Sequence, residues 1–205
     1  MIRYATCFFL LLFLSPATHA LFINEIHYDN LGSDVGEGIE LAGAAGTDLA
    51  GFSLVFYNGG NGQVYRTVNL KGMLANQSNG VGTQFFSISG LQNGGPDGVA
   101  LVDAASSVVQ FLSYEGVFTA ADGAAAGLAS SDIGIAQDGS DAIGQSLQLI
   151  GSGASYADFT WALADASYGS INGAQTIAPV PLPAAMPLLL GALGLLAGLR
   201  RGEHH

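Results

Sequence analysis

GFSLVFYNGGNGQVYRTVNL, residues 51–70, is the stretch on which the fold turns. Two runs rich in aromatic and β-branched residues, 51–58 and 63–70, flank the glycine- and asparagine-rich NGGNG at 58–62. Such side chains suit a pleated, half-buried surface, and Asn-Gly pairs supply the positive φ angles of a tight hairpin. The hydrophobic period is two, which places Val64, Arg66 and Val68 on one face. This is a hairpin, not a helix.

Outward from this hairpin the same period recurs in short bursts. LFINEIHY (21–28) reads as a strand with Asn24, Ile26 and Tyr28 on one face and Ile23, Glu25 and His27 on the other. DNLGSDVGE (29–37) is turn chemistry, and GIELAG (38–43) alternates with Ile39 and Leu41 inward. TQFFSIS (83–89), GVALVD (98–103) and SVVQFLSY (107–114) follow at the spacing of an antiparallel meander, with GGPDG (94–98) and DAAS (103–106) as turns. QSLQLI (145–150) and ADFTWAL (157–163) close a set of nine strands. No run of ten residues in this middle region carries a helical period. Short strands between polar turns predict an antiparallel β-sandwich or barrel. Residues 116–144 stand apart as a long small-residue segment, which such a fold keeps for function or leaves mobile. INGAQTIAP (171–179) reads as a linker.

The two ends have a different character. Arg3, the apolar run Cys7–Leu14, Pro16 and the small residues Thr18 and Ala20 follow the order of a secretory signal peptide, 1–20, cut after Ala20. The apolar run is too short to span a bilayer. Its removal takes the only cysteine, Cys7, so the remainder has no thiol chemistry. At the other end Leu182–Leu199 is uncharged, roughly 27 Å long as a helix at about 1.5 Å per residue. Apolar all round, it reads as one transmembrane helix, and Arg200 and Arg201 behind it orient the middle of the chain outside the cytoplasm.

Composition narrows the partners. The chain has 205 residues and a formal charge of −11. Within 21–178, a one-domain length, the only basic side chains are Arg66 and Lys71, while Glu203 is the only acid outside. Such a surface repels nucleic-acid phosphates and anionic lipid, and suits cations or neutral partners such as polysaccharide. Hydrophobicity is too high for disorder.

Chemistry-bearing constellations are sparse. His27 is the only histidine between Ala20 and Ala178, and no GxSxG elbow accompanies it, so it reads as a strand residue rather than a general base. Zinc prefers nitrogen and sulfur, and this region offers one histidine and no cysteine. Calcium takes carboxylates and carbonyls, and two turns hold acids: Asp29, Asp34 and Glu37, then Asp132, Asp138 and Asp141. Neither matches an EF-hand loop, and solvated acidic turns are the plainer reading. Glu37 and Glu40, three apart on a strand, point to opposite faces, which argues against a glycosidase pair. Trp161 with Phe159 reads as core or rim packing, with a sugar-stacking platform as the sharper idea. No phosphate-binding GxxxxGK[ST] loop occurs.

Two resemblances rest on these residues. Val180, Pro181, Leu182, Pro183 and Ala184, then the apolar helix, then Arg200 and Arg201, resemble the PEP-CTERM sorting signals in their VPLPA variant. The resemblance implies an exosortase-type processing protease as partner, a Gram-negative host, and association with exopolysaccharide. The tail, 179–205, is then an address label removed after a transient stay in the inner membrane; a permanent single-span anchor is the alternative.

The middle, 21–178, resembles the lamin-tail domain family. Asn24 and Glu25 match its opening strand, Glu37, Glu40 and Leu41 its second, and Asp48, Leu49, Gly51 and Phe52 its turn into a long strand; 146–175 is similar to the C-terminal part of bacterial versions. The resemblance implies an immunoglobulin-like antiparallel β-sandwich that is not itself an enzyme. The expectation is an exported, non-catalytic surface or matrix protein with no cofactor. It binds extracellular polysaccharide or another surface protein through its edge strands and the 116–144 loop. The alternatives are a secreted calcium-dependent hydrolase and a calcium-stabilised adhesion module.

Overall fold

A computed structural model of the chain describes residues 20–178. The expected signal peptide, up to residue 19, and the expected sorting tail with Val180–Ala184, the helix at 182–199, Arg200 and Arg201 lie outside the described residues. Ala20, at the expected cut, is exposed. The fold is all-β. Its strands are β1 Phe22–His27, β2 Gly38–Ala44, β3 Ser53–Asn58, β4 Gln63–Asn69, β5 Val81–Ser87, β6 Asp97–Val102, β7 Val108–Tyr114, β8 Ser131–Asp132, β9 Gln145–Gly153, β10 Thr160–Asp165 and β11 Gln175–Ile177. A 3-10 turn at Tyr156–Asp158 precedes β10. Among the described residues no helix is long and apolar enough to cross a membrane.

Two sheets form a sandwich. The first runs β10-β9-β1-β2-β5, with β11 parallel to β9. The second runs β4-β3-β6-β7-β8, with β8 parallel to β7. Ile23, Ile26, Ile39, Leu41 and Leu147 from one sheet meet Leu54, Phe56, Val99, Leu101 and Leu112 from the other in a single core. Tyr28 stacks on Tyr114 at one end, ring centroids 3.8 Å apart.

The hairpin predicted at 51–70 forms as β3 and β4. Gly62 closes it at φ 73°, and a Cβ there would lie 2.5 Å from the Thr119 carbonyl of an overlying segment, so glycine is required twice over. Ile39 and Leu41 enter the core as the alternation predicts.

Two bulges overturn the predicted faces. The β1–β2 register shifts between Ile23 and Glu25, so Ile23, Ile26 and Tyr28 enter the core, while Asn24 is drawn to the opposite face with Glu25 and His27. The β3–β4 register shifts between Phe56 and Tyr57, so Val64 packs on the outer side and Val68 on the core side. An extra residue in one strand exchanges the faces of everything beyond it. The meander expectation is also corrected: β5 pairs with β2 in the first sheet, and only β6 and β7 remain hairpin neighbours.

Both sheets are covered on their outer faces, which is why every residue of β1 and of β6 is buried. Residues 116–130 lie over the second sheet, where Phe118, Ala120 and Ala125 pack on Val55, Tyr57, Ala100, Val102 and Phe111. The segment expected to be functional or mobile thus serves as a structural cover. Residues 156–159 and 166–178, on either side of β10, lie over the first sheet, where Phe159 and Ile177 pack with Phe22, Ala42, Val81 and Leu149. The expected linker at 171–179 is corrected accordingly, since Asn172, Gln175 and Ile177 are buried and β11 pairs with β9.

Candidate functional site

Beneath that C-terminal cover lies the densest polar cluster of the domain. The β1 bulge turns Asn24 and Glu25 together toward residues 167–175, and the register sets Glu25 directly opposite Glu40 of β2. Both glutamates are 0 % exposed. Glu25 Oε1 accepts from Ser146 Oγ, from Gln148 Nε2 at 3.2 Å and from the Ser167 amide at 3.0 Å. Ser167 Oγ lies 3.0 Å from Glu25 Oε2 and from Asn172 Oδ1. Glu40 accepts from Asn24 Nδ2 at 3.0 Å and from the Gly169 amide at 2.6 Å. Asn172 donates to the Asn24 and Leu149 carbonyls at 3.2 and 2.9 Å, stitching the cover to β1 and β9. Tyr168 stacks on Phe85, centroids 3.9 Å apart.

No lysine or arginine enters this cluster, so its electrostatics rest on neutral donors. Burial pushes the Glu40 carboxyl up to about 8, and the neighbouring Glu25 adds to the rise; the bonds from Asn24, Gly169 and Thr83 oppose it. At neutral pH Glu40 therefore keeps its proton. Like charges set directly opposite on a sheet destabilise it, and a protonated Glu40 avoids this. The pair is sealed from solvent, and its donors tie the cover down rather than face an opening.

Above it a cleft of about 610 Å³ opens between the turn at 77–79 and residues 169–177. Gln77 Nε2 donates to the Gly169 carbonyl at 2.8 Å and Asn79 Nδ2 to the Ile177 carbonyl at 3.3 Å, so the two walls are tied together.

The sequence-predicted residues fall elsewhere. His27 is 1 % exposed, with Nε2 2.9 Å from the Val35 carbonyl and Nδ1 2.9 Å from Gln137 Oε1, a hydrogen-bonded strand residue as expected. Glu37 accepts from the Gly90 and Leu91 amides at 2.6 and 2.7 Å, so its carboxylate closes a loop and does not join Asp29 and Asp34. Asp29 and Asp34 do meet, and burial followed by this contact raises the Asp29 pKa. Asp132 caps Gly134, Asp138 caps Ser140, and Asp141 accepts from the Asp138 amide, each within its own turn. Among the described residues no three acids or histidines are gathered as metal ligands. Trp161 is half-buried at the core rim, its Nε1 donating to Tyr156 Oη at 3.0 Å. Asp48 bonds the Ala50 amide of its own turn, and Leu49 is fully buried behind it.

Sequence reasoning missed the Glu25–Glu40 pair, Asn172, Gln175 and Asp97. Asp97, 2 % exposed in β6, is pushed up to about 6 by burial, with Glu115 adding and the Gly59 amide opposing. The available signal was a glutamate in each of two adjacent strands, but the bulge that aligns them is invisible to a strict period of two. Compared with family models, curated proteins and solved structures, the chain returns no match.

Proposed function

We propose that this is an exported, non-catalytic binding module of lamin-tail type, an immunoglobulin-like sandwich. An exosortase-type protease sorts it through the VPLPA tail, and it works at the cell surface or in a polysaccharide matrix. The observation that carries this reading is the employment of the domain's acids and histidine. Glu25, Glu37, Glu40, Asp97 and His27 are all buried, and each is bonded to the groups that hold strands, loops and covers together. A hydrolase needs an acid or base within reach of substrate. Here the buried acids and the histidine are spent on architecture. The sandwich and the motif order in β1, β2 and the turn at 48–52 also support the family reading.

The test is the intact mass and location of the protein in its native host. A chain from Leu21 to about residue 180–184, found outside the inner membrane, is the expected result. A chain that keeps Arg200 and Arg201 in the inner membrane sinks the sorting reading and leaves a permanently anchored module.

A further inference from the structure

The cleft between the turn at 77–79 and residues 169–177 is a roomy concavity with an uncommon lining for so acidic a domain. In a strongly acidic domain, no Asp, Glu, Lys or Arg among the described residues lines it. Its lining is instead amides and hydroxyls, among them Gln77, Ser78, Asn79, Ser170, Gln175 and Thr176, with Ile171 and Ile177 as its apolar contribution. Its volume of about 610 Å³ falls within the roughly 300–1,000 Å³ of small-ligand sites. The walls are preformed by the Gln77–Gly169 and Asn79–Ile177 bonds.

One lining residue points more directly to a ligand. Gln175 is 7 % exposed and its Oε1 has no hydrogen-bond partner. Its Nε2 donates to Asn24 Oδ1 at 2.8 Å, and Asn24 Nδ2 is itself committed to Glu40 and Asn172. A rotation of the Gln175 amide would set two acceptors face to face, so the network fixes which end is left over. A buried acceptor without a donor is costly, and a site that supplies a donor removes the cost.

We propose that this cleft binds a short stretch of neutral glycan, its hydroxyls exchanging bonds with the side chains of the rim and one of them donating to Gln175 Oε1, an acceptor closed off from solvent until the lining shifts to admit the sugar. The absence of charge from the lining selects against uronic acids, whose carboxylates the acidic surface repels in any case. A peptide fits less well, since the cleft offers no row of apolar pockets for its side chains. No aromatic ring lines the cleft, so stacking is lacking and a single site is weak, with Kd on the order of 1 mM. Useful avidity then comes from repeated units along a polymer. The inference rests on the reading of the domain as a binding module and names its ligand class.

The test is saturation-transfer NMR on the full chain in detergent, with maltotriose and cellotriose as neutral probes and trigalacturonate as the charged one. Transfer from at least one neutral trisaccharide and none from trigalacturonate is expected. A Cβ built at Gly173, on the cleft wall, meets no atom within 4 Å, so Gly173→Leu adds bulk at the wall from an unobstructed Cβ and should abolish the signal. Gln175→Leu should weaken it about tenfold. Thermal melts of both variants show that they remain folded. Transfer from neither neutral sugar, equal transfer from trigalacturonate, an undiminished signal in folded Gly173→Leu, or displacement by an unrelated uncharged peptide would each overturn the proposal. Processing and location are read by mass and fractionation, so a failed sorting reading and a failed cleft are separate results.

Discussion

The two outer faces of the sandwich are covered by opposite chemistries. Over the second sheet, residues 116–130 bring Phe118 and small alanines onto Tyr57 and Phe111, a dry patch with Phe111 and Phe118 edge to face. Over the first sheet, residues 166–178 bring Ser167, Gly169, Asn172 and Gln175 onto Asn24, Glu25 and Glu40. The apolar cover holds by area removed from water, a non-directional effect that tolerates small shifts. The polar cover holds by bonds with fixed geometry, and each lost partner strands another buried group. The first kind of cover closes a surface. The second also shapes one: it sets the walls of the cleft and leaves one acceptor over.

The comparison breaks most sharply at Asn172. Asn172→Ala leaves the Asn24 and Leu149 carbonyls and two further groups short of a partner, at roughly 1–3 kcal/mol for each buried group. The expected loss in urea unfolding is about 3–5 kcal/mol, with the cleft walls loosened. Phe118→Ala on the apolar side should cost slightly less, about 3 kcal/mol, because small neighbours let the site collapse. If Asn172→Ala proves milder than Phe118→Ala, the network is not what holds the C-terminal cover.

A smaller effect separates the covers by pH. Glu40 sits at about 8 in the fold against an ordinary 4.5. Between these values the unfolded chain has released a proton that the folded chain keeps, so stability falls as pH rises through the window and levels off above it. The slope from this group is at most about 1.4 kcal/mol per pH unit. Asp97, at about 6 against 3.8, acts with the same sign at lower pH. Denaturation of Glu40→Gln should be flat above pH 6, with the Asp97 slope left below it. A wild-type profile with no fall between pH 6 and 8 would mean that Glu40 is ionised in the fold.

The smallest expected effect concerns calcium. Glu37 is committed to the Gly90 and Leu91 amides, so Asp29 and Asp34 lack their third carboxylate. Millimolar calcium should leave the melting temperature of the full chain within about 1 °C of its value in chelator; a rise of several degrees would revive the calcium-stabilised alternative.

By itself the sequence determined the class of fold. A period of two over short bursts, aromatic and β-branched runs, and asparagine-glycine turns are local properties, and the nine strands expected from them all form. So do the hairpin at 51–70 and the Asp48 turn. It also placed His27 in a strand and confined the basic side chains of residues 21–178 to Arg66 and Lys71. What only the tertiary structure decided is non-local. A single extra residue in β1 and another in β4 exchanged their faces beyond the bulge, a shift that no periodic count detects. The sheet to which β5 belongs follows from pairing partners far apart in the chain. Glu25 meets Ser167 across 142 positions, and Asn24 meets Asn172 across 148. Residues 171–178 look like a linker because their polar side chains suit solvent equally well. They become structure only because the outer face of β1 and β2 presents buried partners for those same groups, and burial then makes each bond obligatory.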